Sequence, residues 1–424
     1  MSLSPTKKQF ETFLQSQTDE PRTVKDFRKD AFEHFLEIGY PTKKQESWRF
    51  TNLSFLAKTE YWFANGETNK IDYSIISKYS IKNSHRIVFV NGIFDNKLSS
   101  IEYISKQITI RNISDSFSDL TNDFNVNTTN PFILLNKALV SGGYLIDIDS
   151  NYIENKPLHI LNIISDEKNS VYHHQQNLIK IGKNSQVSIV EENVHTNQKE
   201  LFTNTVYNIH IDDNSVLSHI LLQQNSTNSK ELNHIFVEQK DNSTYKTQLI
   251  SIGGDFIRNN MNVQINGENC SADISGLSLM TGKEHIENYT VVNHNKPNSN
   301  SQQLFKYILN GSSEGVFNGL VTVQPDAQKT DSQQTNKNIL LSKKALMNSN
   351  PQLEIYADDV KCSHGSATGE LDEDAIFYLR SRGIDIITAK SLLIEGFAKE
   401  VTDKIKIDSV KEKLNVELIK WLAK

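Results

Sequence analysis

Four turn dipeptides recur at a nearly constant interval: Asn184-Ser185, Asn214-Ser215, Asn242-Ser243 and Asn269-Cys270 stand 30, 28 and 27 residues apart. A repeat of this length marks an architecture that stacks one small unit on the next. The segments between the turns, such as NLIKI (177–181), VSIVEEN (187–193), TVYNIHI (205–211) and NMNVQI (260–265), alternate apolar and polar residues as half-buried strands do. Two strands and their turns fill one interval, which leaves no room for a βαβ crossover and rules against a doubly wound sheet. Asn suits such turns because its short side chain tolerates the left-handed backbone conformation. The pattern predicts a mainly β fold, a right-handed parallel β-helix (β-solenoid) over residues 157–371. A β-sandwich would also supply many strands, but not a steady two-strand period. Cys270 stands where the other copies carry Ser, so it reads as a structural substitution.

Helical patterns flank this core. Phe10, Phe13 and Leu14, then Phe27, Ala31, Phe35 and Ile38, recur at helical spacing, and Gly39 with Pro41 stops the second run. ESWRFTNL (46–53) follows, with Trp48 and Phe50 expected on an extended segment that plugs the junction to the next region. HRIVFVNGIFD (85–95) reads as strand, Asn-Gly turn and strand, and PFILLNKALV (131–140) as a short helix opened by Pro. After Asp372 the period turns helical again. Ile387, Leu392, Leu393, Phe397, Ala398 and Val401 suggest one apolar face. Val410, Leu414, Leu418 and Trp421 suggest another, with Asp408 as N-cap. A solenoid needs its ends covered, so these helices are expected to act as a cap or as a docking surface. The expected organisation is an N-terminal helical region (1–65), a mixed connecting region (66–156), the β-helix (157–371) and a C-terminal helical domain (372–424).

Composition narrows the function classes. Hydrophobic residues make up 37% of the 424 residues, and the deficit is filled by Asn, Ser, Thr and Gln, not by charge. A net charge of -6 with no basic stripe argues against a nucleic-acid partner. No apolar run is long enough to cross a membrane, and the first fifteen residues lack the pattern of a secretory or transit segment. Two cysteines cannot build a disulfide framework, so a cytoplasmic setting with free thiols is expected.

The usual enzyme signatures are absent: no P-loop, GxGxxG, HExxH, paired CxxC or GxSxG occurs. A β-helix enzyme acting on polysaccharide would need a carboxylate cluster, and Asp358-Asp359, the nearest candidate, reads as a solvated pair beside a turn. Cys362-Ser363-His364 is chemically richer. On an extended strand, residues two apart share a face, so thiol and imidazole could bind one ion. Two ligands do not complete a site, however, and the chain offers no second pair nearby.

The run EIYADDVKCSHGSATGELDEDAIFYLRSRGI (354–384), together with ESWRFTNL and FNGLVTVQPDAQKTDSQQTNKNILLS (317–342), resembles the SufB/SufD family of iron-sulfur cluster assembly proteins. The resemblance runs the length of the chain. Within the family the chain looks like the SufD branch: it is short for a SufB, lacks an N-terminal cysteine motif, and has CSHG where SufB-like chains carry a His-Glu pair. The resemblance implies a non-enzymatic scaffold that pairs with a SufB-like paralogue and recruits a SufC-like ABC-type ATPase, and that can form a homodimer in isolation. It carries the family's interface histidine onto His364 and the neighbouring cysteine onto Cys362, as ligands for transient iron or a nascent cluster and not for a stably bound cofactor. It places the ATPase-facing region on Tyr378, Arg380, Arg382 and Gly383 and on the following helix, including Phe397. A structural homo-oligomeric β-solenoid is the reading that competes with it.

Overall fold

Asn184, Asn214, Asn242 and Asn269 all take a left-handed backbone, with φ between 56° and 59°. Asn151 and Asn298 extend the series, and Lys329 (φ 62°) takes the same conformation at its last step. Their side chains stack between coils: Asn184 donates to Asn151 at 3.1 Å, Asn214 to Asn184 at 3.1 Å and Asn269 to Asn242 at 3.3 Å. Cys270 occupies the serine position of its turn. It is buried, and its thiol donates to the Lys240 carbonyl at 3.0 Å, doing with sulfur what Ser215 does with oxygen.

The computed structural model describes residues 3–63, 71–116, 128–165, 169–196, 199–225 and 228–423. The boundary expected at residues 65 and 66 lies outside them. The short strands come first: β1 (Trp62–Phe63), β2 (His85–Val90), β3 (Ile93–Phe94), β4 (Ile108–Asn112), β5 (Tyr144–Ile148) and β6 (Leu158–Ile164). The long strands then follow as β7 (Val171–Ile181), β8 (Gln186–His195), β9 (Leu201–Ile211), β10 (Val216–Asn225), β11 (Ser229–Gln239), β12 (Thr244–Gly253) and β13 (Phe256–Ile265). They continue as β14 (Ser271–Met280), β15 (His285–His294), β16 (Asn300–Leu309), β17 (Glu314–Val323), β18 (Asp331–Leu340), β19 (Leu346–Ile355) and β20 (Lys361–Gly369).

From β6 to β20, odd strands pair only with odd and even only with even, in parallel, within two ten-stranded sheets. Each coil contributes one strand to each sheet, so β7 to β20 make seven turns of a β-solenoid, the mainly β fold expected from the repeat. Ile179, Tyr207, Ile235, Met261, Phe305 and Phe317 belong to the apolar cluster between the sheets. Some deeper polar groups there are paired internally: Glu191 accepts from Tyr144 at 2.5 Å and lies 3.0 Å from His219 Nε2. At the N-terminal end, β2–β3 and β4–β5 are antiparallel and break the stacking. The β2–β3 turn is made by Asn91 (φ 51°) and Gly92 (φ 78°), as the Asn-Gly signal predicts.

The flanking helices lie on the outer faces. Helices Ser4–Ser16, Arg22–Ile38 and Pro131–Leu139 share one apolar cluster with Tyr172, Phe202 and Leu232 of the odd sheet. Trp48 is not on an extended segment: Glu46–Trp48 form a 3₁₀ turn. The reason is Arg258, a buried guanidinium whose centre sits 3.9 Å from the Trp48 ring centroid. Arg258 pairs with Glu287 at 2.9 Å, and Thr51 joins both, accepting from Arg258 at 2.7 Å and donating to Glu287 at 2.8 Å. ESWRFTNL is thereby a latch on the odd sheet, with Phe50 only half-buried.

Helices Ile386–Thr402 and Asp408–Leu422 fold back along the even sheet. Val410, Leu414, Leu418 and Trp421 are buried as expected, and so are Ala398 and Val401 of the preceding helix, where Ala389, Ile394 and Thr402 join them. Ile387 and Leu392 are exposed, while Ile394, Ala398 and Val401 cluster with Ile220, Leu277 and Ile308. Each larger apolar side chain so buried contributes about 2 kcal/mol. Lys404 with Asp273 and Lys413 with Glu192, both at 2.6 Å, fix the register of helix on sheet. Asp408 is the first residue of its helix, and the N-cap is Ile407. These helices cover a face of the solenoid and leave its C-terminal end bare.

Candidate functional site at the last coil

The final coil, β19 and β20, is the only one of the seven with no coil above it. β19 pairs with β17 and β20 with β18, so each keeps a free backbone edge. β20 is exposed along its length except at Cys362, and no residue of β19 is fully buried. Long free edges are rare in monomers because they template pairing with another chain.

Cys362 and His364 lie on β20 in register with Ser332 and Gln334 of β18. The Cys362 side chain packs against the interior cluster, so by strand alternation His364 belongs to the interior-facing row as well. Cys362 is half-buried and His364 exposed, since no further coil shields it. Burial pushes the Cys362 thiol above its ordinary pKa, and Asp331 adds to this against a hydrogen bond from the Ser332 backbone. The expected pair is therefore brought together at the rim of the solenoid.

The interior changes character as it approaches this rim. Two coils down it holds Phe305 and Tyr307; in β18 the inward residues are Ser332, Gln334, Asn336 and Asn338. Asn336 and Asn338 exchange hydrogen bonds at 3.0 and 2.7 Å, and Asn338 donates to Thr368 Oγ1 at 2.9 Å. Ser366 donates to Ser349 Oγ across the last coil at 2.8 Å. Polar residues along TDSQQTNKN therefore line the mouth, a feature the sequence pattern did not single out. Among the described residues, no group of three or more His, Cys, Asp or Glu side chains could hold a metal ion. Cys362 and His364 supply two soft donors and no more. Asp359, of the acidic pair, is tied to Lys329 at the exposed turn.

Beyond β20 the chain enters helix Glu373–Ser381, capped by Asp372, which accepts from the Asp374 and Ala375 backbone at 2.9 and 3.1 Å. Gly383, at φ 85°, ends this segment. None of the helix's side chains is buried. Phe377 is 75% and Ile387 72% exposed, with Tyr378 and Ile386 beside them in the sequence also exposed. Tyr378, Arg380, Arg382 and Gly383 are all on this open segment, and the Arg382 guanidinium sits 5.2 Å from the Tyr378 ring centroid. Phe397 is placed differently. It is half-buried, with Lys306 Nζ 4.0 Å from its ring centroid and donating to its carbonyl at 2.8 Å.

Comparison with known proteins covers both the solenoid and the N-terminal region. The family described as "SUF system FeS cluster assembly, SufBD core domain" matches residues 162–397, and "SufBD protein N-terminal region" matches residues 8–160. The iron-sulfur cluster assembly protein SufD of Escherichia coli (strain K12) is 31% identical over 386 residues, spanning 90% of this chain and 89% of that protein. An iron-sulfur cluster assembly SufBD family protein of Synechocystis is 30% identical over 403 residues, spanning 91% and 88%. The chain belongs to the SufBD family of iron-sulfur cluster assembly proteins and is a homologue of SufD.

Proposed function

We propose that this chain is a non-enzymatic scaffold subunit of the SUF machinery that pairs with a SufB-like paralogue through its last coil. The observation that carries this reading is the bare C-terminal end of the solenoid, where two long strands keep free edges around Cys362 and His364. A second solenoid end would satisfy those edges and bring further ligands to a thiol and an imidazole that cannot complete a site alone. Iron, or a nascent cluster, is then the cargo of a shared site and not a resident cofactor of this chain. The open segment with Phe377, Tyr378, Arg380, Arg382 and Ile387 offers an aromatic, apolar and basic surface for a SufC-like ATPase. Phe397, on the helix that follows, is half-buried against Lys306. Among the described residues, no helix is long and apolar enough to cross a membrane.

The test is iron-sulfur loading of the complex obtained by co-expressing this chain with SufB-like and SufC-like partners. His364→Ala is expected to lower loading at least several-fold while leaving the melting temperature in place, because the ring is exposed and supports no packing. Unchanged loading removes His364 from the site.

A further inference from the structure

Gln334 lies one coil beneath His364, in register with it on the neighbouring strand. Its side chain is fully buried, yet neither Oε1 nor Nε2 has a hydrogen-bond partner among the described residues. Gln303, one coil deeper in the same column, differs in one atom: its Oε1 accepts from Thr290 at 2.7 Å, and only its Nε2 has no partner among the described residues. The fold has also made room for Gln334. A Cβ added to Gly319, on β17, would fall 2.2 Å from Gln334 Nε2, so this glycine leaves the space in which the amide lies. A buried amide with both ends unpaired costs free energy that Leu or Met of similar length would avoid. The one feature above it is the mouth holding Cys362 and His364.

We propose that Gln334 is a positioning residue for His364. Adjacent strands are about 4.8 Å apart, so rotation of the two side chains brings imidazole and amide into contact without moving the backbone. The amide can donate through Nε2 or accept through Oε1, and whichever ring nitrogen it engages, the other is left facing the open end of the solenoid. Gln334 thereby selects the nitrogen that His364 presents to incoming iron or to a partner chain. Gly319 of the FNGL segment and Gln334 of the DSQQTNKN segment, on consecutive strands, become two halves of one device.

This inference rests on the reading of His364 as a ligand, but its test does not use cluster loading. The isolated full-length chain is labelled with ¹⁵N-histidine, and the His364 ring signals are identified by their loss in His364→Ala. At a pH well above the ordinary imidazole range, the two ring-nitrogen shifts report the tautomer ratio. Gln334→Leu is expected to change that ratio by about threefold to tenfold, the population equivalent of one net hydrogen bond, and to bring it to that of a free imidazole. Gln334→Met, which keeps the length of the side chain, is expected to give the same result and serves if the Leu variant does not fold. A purely structural role would alter the melting temperature and leave the ring shifts alone, and identical His364 shifts in wild type and in a folded Gln334 variant overturn the proposal. Loss of loading in His364→Ala alongside unchanged ring shifts overturns the role of Gln334 alone.

Discussion

His285 shows how a single side chain can carry pH dependence in this molecule. Burial alone would lower its pKa, but Glu287 and Glu314, 3.8 and 3.7 Å away, outweigh that and hold it at about 9. The folded-state value lies above the ordinary value of 6.5, so the ring's contribution to stability is complete below about 6.5 and is lost as pH climbs through about 9. Urea denaturation of the wild type is expected to show a falling midpoint between those values, and His285→Gln a flatter profile. An equal decline in both would assign the effect elsewhere. Nothing in the sequence announced this group, because its network joins Thr51 to residues more than two hundred positions later. Cys362 and His364 were legible because an i, i+2 pair on a strand needs no tertiary knowledge. Gln334 was not, since its meaning depends on which residue lies one coil above it.

At the scale of elements, the Asn turns hold the design together. Asn242 takes φ 58° and accepts from Asn269 at 3.3 Å, so it answers both a conformational and a hydrogen-bonding need. Asn242→Val places a branched side chain in the left-handed region and is expected to cost about 2 kcal/mol. Asn242→Gly relieves the backbone and loses only the ladder bond, an expected cost of less than about 1 kcal/mol. Urea midpoints should order wild type, Gly and Val in that sequence, and a Val variant as stable as Gly would show that the turn conformation is not limiting. The repeat was legible because every coil restates it. The apolar face of helix Ile386–Thr402 was misjudged because Ile387 and Leu392 look like core residues. Ala398 and Val401 are buried as expected, so periodicity reports that a helix has an apolar stripe, but not which of its residues the sheet reaches.

On the scale of the whole molecule, the two ends of the solenoid are treated differently. The N-terminal end is closed by antiparallel strands, while both strands of the last coil keep an open edge. The C-terminal helices could have covered that edge, as a cap would. They run along the even sheet, held there by Lys404, Lys413 and the Ile394–Val401 stripe. Sequence alone could not distinguish these placements, because either one buries an apolar stripe. The consequence is a bare end carrying Cys362 and His364, followed directly by an exposed aromatic segment. The most direct measurement is the mass, by light scattering during size exclusion at micromolar concentration, of this chain co-expressed with a SufB-like paralogue and a SufC-like ATPase. A single species containing all three chains is the expected result, and chains that elute separately would contradict the account.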